Sequence, residues 1–109
     1  MTTAHRRLLD ATVTEKHFQQ DVVNLARMRG WLVFHPWNSR HSAAGFPDLC
    51  MVRAGRIVFA ELKTEKGKAS PAQREWLGEL GRVAQIAGPD VQVFLWRPSQ
   101  FDEIVEVLR

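Results

Sequence analysis

Two apolar runs, residues 48–53 (Asp48-Leu49-Cys50-Met51-Val52-Arg53) and 56–63 (Arg56 to Lys63), are separated by only Ala54-Gly55, and this spacing constrains the chain more than any other feature. Strand-like segments joined by two residues read as a β-hairpin, although Ala-Gly is a weaker turn signal than Asn-Gly. With a tight turn Arg53 pairs with Arg56, and counting back along both strands places Asp48 across from Glu61. Side chains alternate along a strand, so Glu61 and Lys63 share one face and Asp48 joins them there. A glycine bulge in a longer turn would shift this pairing.

Three charges on one patch need compensation. Opposed carboxylates repel, and Glu61 follows the apolar stretch Ile57-Val58-Phe59-Ala60, where an ionised group is costly. A divalent cation resolves the conflict: two carboxylates, a main-chain carbonyl and water are the hard oxygen donors that Mg2+ or Mn2+ prefers. Lys63 would then face a phosphate or a metal-bound water. The plainer alternative is that Asp48 and Lys63 are solvated strand-end charges, which leaves unexplained why Glu61 interrupts an apolar strand.

The remaining chain arranges itself around the hairpin. Residues 14–29 read as a helix with Thr14 as N-cap, a stripe of Phe18, Val22, Leu25 and Ala26, and Gly30 as the stop. Residues 31–37 form a short strand that Pro36 ends or places near an edge. Ser70-Pro71-Ala72-Gln73 is a well-marked helix start, with Ser as cap, Pro in the first turn and Gln in capping-box position. Its stripe is Trp76, Leu77, Leu80, Val83, Ala84 and Ala87, and Gly88-Pro89 ends it. A fourth strand spans 91–97, and Pro98-Ser99 opens a last helix with Phe101, Ile104, Val105 and Leu108 inward. A strand between two helices must cross back into the sheet, so an α/β fold with a mixed sheet flanked by helices is expected. Residues 1–13 are read as an N-terminal extension and 14–109 as the domain.

Composition sets outer limits. A chain of 109 residues, 45% hydrophobic and 25% charged, suits one globular domain rather than a disordered or fibrous protein. No apolar run approaches a membrane span or a secretory signal, so a cytoplasmic location is expected. The lone Cys50 lies in an apolar run and reads as a buried thiol. The four histidines (His5, His17, His35 and His41) lack paired zinc-site spacing, and no Ser-His-Asp ordering or glycine-rich phosphate loop occurs. Water is thus the simplest nucleophile. A net charge of +3 permits a polyanionic partner without requiring one.

Two helix starts extend the constellation. Glu15 continues the buried stripe of the first helix, and Gln73 lies three and four residues before Trp76 and Leu77. Each has two readings: Glu15 as a rim carboxylate or a first-turn acid on the helix dipole, Gln73 as a rim amide or a capping partner. The loop 38–47 leads into Asp48, and its polar residues, Asn38, Arg40 and His41 among them, suit a phosphate backbone or plain solvent. Lys66 and Lys68 offer the same choice, while Gly45 and Pro47 suit a tight approach to the strand.

The pattern Gly45-Phe46-Pro47-Asp48, twelve residues, Glu61-Leu62-Lys63, then Ser70-Pro71-Ala72-Gln73-Arg74-Glu75-Trp76-Leu77 resembles the VRR-NUC family of the PD-(D/E)XK nuclease superfamily, over nearly the whole stretch from Glu15 to Val93. The resemblance implies an αβββαβ core, here with an extra C-terminal helix. It implies metal binding by Asp48 and Glu61 through side chains, by Leu62 through its carbonyl and by Glu15 directly or through water. Lys63 would position water or stabilise developing charge, and Gln73 would be the helix-borne polar residue. It further implies DNA hydrolysis with Mg2+ or Mn2+. The stand-alone phage and bacterial members, which this chain is similar to, are associated with homodimers that resolve four-way junctions, since two symmetric cuts need two sites. A DNA-binding module without cleavage, and a flap or duplex nuclease of the same chemistry, are the competing readings.

Overall fold

The computed structural model describes residues 2–36 and 43–109. Its elements are α1 (Thr3–Thr12), α2 (Glu15–Met28), β1 (Leu32–Phe34), β2 (Leu49–Arg53), β3 (Arg56–Leu62), α3 (Pro71–Ala87), β4 (Val91–Trp96), a 3-10 turn (Pro98–Gln100) and α4 (Phe101–Val107). The four strands form one sheet in the order β1-β2-β3-β4. The first three run antiparallel, whereas β3 and β4 are parallel and joined by α3. A parallel pair needs such a long connection, so the helix between two strands forces the mixed sheet. Among the described residues no helix is long and apolar enough to cross a membrane.

Helix α2 starts where Thr14 accepts a hydrogen bond from the His17 amide at 3.1 Å. It ends at Gly30, whose φ of +84° lets the Trp31 amide reach back to the Ala26 carbonyl at 3.0 Å. Phe18, Val22, Val23 and Ala26 are its buried face. They share one core with Leu49, Met51, Val58, Ala60 and Leu62 of the hairpin, and with Ile104 and Leu108 beyond the sheet. Each large aliphatic side chain in that set contributes about 1.5–3 kcal/mol of burial.

Several expectations need adjustment. Strand β1 covers only 32–34, because its partner residues run only from Val52 to Cys50, and Trp31 leaves the ladder to bury itself. Cys50 is half-buried rather than fully enclosed. On α3 the expected inward stripe is weaker: Trp76, Leu77, Leu80 and Ala84 are half-buried, and Val83 and Ala87 are exposed. Residues 3–12, read as an extension without an element, are helical, capped by Thr2, with Arg6 paired to Asp102 at 3.6 Å. No residue of α1 is buried.

Candidate active site

The Ala54-Gly55 turn sets the geometry at the opposite end of the hairpin. Both residues have positive φ, 49° and 81°, the two-residue turn whose twist matches its strands. Arg53 therefore pairs with Arg56, and the ladder runs to Leu49 opposite Ala60. One step further, just ahead of β2, Asp48 faces Glu61. Ala60 and Leu62 enter the core, so alternation turns Glu61 to the other side of the sheet.

Asp48 is held from both directions. Its Oδ2 accepts from the Leu62 amide at 2.8 Å, which ties it to the strand carrying Glu61 and Lys63. Behind it Gly45 has φ +86°, and a Cβ there would lie 2.4 Å from the Ala72 carbonyl carbon. Only glycine lets the loop press so closely on the first turn of α3. Phe46 packs edge-on against Trp76 and Phe59, and the Trp76 indole donates to the Ala44 carbonyl at 3.1 Å. The loop and the start of α3 are thereby locked together beside Asp48.

Gln73 both caps the helix and reaches Glu61. Its Oε1 accepts from the Ser70 amide at 2.8 Å, completing the capping box, while its Nε2 donates to Glu61 Oε1 at 3.4 Å. Glu61 is 0% exposed, and among the described residues its Oε2 has no hydrogen-bond partner. Glu15, at the exposed start of α2, brings a carboxylate oxygen to the same place: ligand atoms of Glu15, Asp48 and Glu61 lie within 4.8 Å of one another.

The electrostatics follow from this crowding. Burial, then the adjacent Asp48 carboxylate, push the Glu61 carboxyl up to about 9, with Lys63 opposing part of the rise. Glu61 is therefore neutral near pH 7 unless a cation joins the cluster. The donor set suits one: three carboxylates and a buried, unpartnered oxygen are what a hard divalent ion needs. Beside the cluster is a cavity of about 210 Å³ lined by Gln19, Pro36, Asp48, Gln73 and loop residues 43–46.

Of the residues singled out from sequence, Glu15, Asp48, Glu61 and Gln73 converge. The Leu62 amide supports Asp48, and half-buried Lys63 follows directly on the strand, its amide donating to the Trp96 carbonyl at 3.0 Å. Lys66 and Lys68 are exposed in the next loop, outside the carboxylate cluster. Asn38, Arg40 and His41 lie outside the described residues. Two residues went unread. Gln19 lines the cavity one helical turn after Glu15, a spacing that could have revealed it. Arg97 donates to the carbonyls of Thr64 and Gly67, each at 2.7 Å, and pins the lysine loop; no local pattern announces a contact of that range.

The family model of the VRR-NUC domain matches residues 1–95. The chain belongs to the VRR-NUC family. A solved structure described as a VRR_NUC domain is similar to it with a TM-score of 0.62 at 26% identity, covering 84% of this chain and 94% of that one. No curated protein is a significant match. As a VRR-NUC domain the chain has a nuclease role, and α2 to β4 supply the αβββαβ core. The matched stretch includes α1.

Proposed function

We propose that this VRR-NUC protein is an endonuclease that hydrolyses DNA phosphodiester bonds with Mg2+ or Mn2+. The observation that carries the reading is the convergence of Glu15, Asp48 and Glu61, with one buried Glu61 oxygen unpartnered among the described residues. These carboxylates, with the Leu62 carbonyl, would hold the ion. Such an ion, when bound, polarises a phosphoryl oxygen and lowers the pKa of water.

The chain's own residues supply position and charge. Asp48 is fixed by the Leu62 amide and Glu61 is oriented by Gln73, so the acids are set before substrate arrives. Lys63 stabilises the negative charge that grows on the phosphate oxygens as water attacks phosphorus and the bond to the leaving oxygen breaks. Gln19 and loop residues 43–46 shape the cavity around that phosphate.

Branched DNA, four-way junctions in particular, is the proposed substrate, cut by a homodimer. The dimer reading is supported by an apolar strip on the sheet face that carries Glu61. Leu32 is 75% exposed, Phe34 61% and Val52 39%, and the register sets Leu32 opposite Val52 and Phe34 opposite Cys50. A contiguous exposed apolar patch of this kind suits a second copy. The test is cleavage of four-way junctions, flaps and plain duplexes with Mg2+, Mn2+ or EDTA, with solution mass measured alongside. Metal-dependent cutting, strongest on junctions, by a dimer is expected; no metal-dependent cleavage of any substrate would overturn the reading.

A further inference from the structure

Beside the carboxylate cluster a second cleft of about 450 Å³ runs along α2, lined by Glu15, Lys16, Gln19, Gln20, Arg27 and His35 with Val23 at its floor. It shares Gln19 with the cavity at Asp48 and Glu15 with the acid cluster, so it leads out of the site rather than standing apart. Lys16, Gln20, Val23 and Arg27 recur at helical spacing and lie on one stripe, about 16 Å long at 1.5 Å per residue. Val23 is buried in the core, which anchors the stripe, while Lys16 and Arg27 are exposed.

The charges on this stripe are uncommitted. Among the described residues neither Lys16 nor Arg27 has an ion-pair partner, whereas the nearby acid Asp21 is paired with His17 at 3.5 Å, further round the helix. Gln20 is held by its own hydrogen bond to Asn24 at 2.8 Å and acts as wall rather than reader. A cleft with cations along its length, amide walls and an acidic, cation-binding end fits a polyanion whose one phosphate reaches the acids while its neighbours follow the helix. Phosphates on one strand of a duplex advance about 3.4 Å per nucleotide along the axis, so the stripe spans several of them.

We propose that the α2 cleft is the track for the DNA strand adjoining the scissile phosphate, with Lys16 and Arg27 as its phosphate contacts. This inference rests on the nuclease reading above. Such contacts position a strand without reading its sequence. Their loss should weaken binding to all DNA shapes alike while leaving the chemistry at Asp48, Glu61 and Lys63 intact.

The test compares wild type, Lys16→Ala/Arg27→Ala and the control Arg82→Ala, whose site is exposed on α3. Affinity for a fluorescent junction and a fluorescent duplex is measured over a salt series with Ca2+ in place of Mg2+, and single-turnover cleavage at saturating protein with Mg2+. For the double variant, Kd should rise about tenfold and the slope of log K against log salt should fall in magnitude by roughly 2, as expected for two lost phosphate contacts. Its cleavage rate at saturation should stay within about twofold, and Arg82→Ala should match wild type. Wild-type affinity and slope in the double variant, with wild type binding and cutting, would overturn the track alone. A wild-type protein that neither binds nor cuts DNA would overturn the nuclease reading and the track together.

Discussion

The two ends of the β2–β3 hairpin both carry charge, and they treat it differently. At the turn, Arg53 and Arg56 lie over the two-ring face of buried Trp31, 4.7 and 5.1 Å from its ring. Arg53 donates to the carbonyls of Arg29 at 2.8 Å and Arg109, and Arg56 to Gln92 Oε1 at 2.6 Å and the Val107 carbonyl at 3.1 Å. With Trp31 donating to the Leu108 carbonyl at 3.0 Å, carbonyls at and just past the end of α4 are satisfied by Trp31 and the two arginines. At the other end, burial and the neighbouring Asp48 oppose the ionisation of Glu61, and among the described residues one of its oxygens has no partner. The chain can satisfy buried polar groups fully and does so where they hold the fold. Where, among the described residues, it leaves one unsatisfied, the missing partner fits the cation proposed above.

That contrast makes the two ends separable by mutation. The largest effect should come from Lys63→Ala: a drop in the cleavage rate of about 10³-fold, the scale for removing one group that stabilises transition-state charge, with little change in thermal midpoint. A matching loss of stability would move Lys63 to the structural side. Gly45→Ala should act on folding instead, since its Cβ would collide with the Ala72 backbone in a left-handed conformation. Denaturant unfolding should show a loss of about 3 kcal/mol, within the range for forced backbone strain and overpacking. Arg56→Met should cost about 2 kcal/mol, the scale of hydrogen bonds to a charged group, while kcat at saturating DNA stays near wild type. Impaired kcat there would erase the division between the ends.

Much of this was legible in the sequence because it depends on short-range periodicity. A two-residue link fixes register by counting, so the meeting of Asp48 and Glu61 followed from the Ala54-Gly55 spacing. Ser70 and Gln73 were legible as a cap, and the stripe through Trp76 placed Gln73 near the sheet; its two hydrogen bonds let one amide both cap α3 and touch Glu61. What escaped depends on tertiary contact. Arg97 crosses from the end of β4 to the lysine loop, α1 buries no residue, and the Arg53 and Arg56 latch needs Trp31 folded against the turn. Gln19 escaped for a narrower reason: a polar residue one turn along from Glu15 looks like solvent face until the fold sets it in one cavity with Asp48 and residues 43–46.

Glu61 should be neutral in the free protein and ionise when a cation binds. Because its folded value, about 9, exceeds the ordinary 4.5, the folded state binds the extra proton between those values, and metal-free stability should fall as pH rises through that window. Titration calorimetry with Mn2+ at pH 7, in two buffers of different ionisation enthalpy, tests this directly. Wild type should release about one proton per ion bound, and Glu61→Gln should bind weakly without that release. Binding with no proton release, or equal affinity in the two proteins, would contradict it.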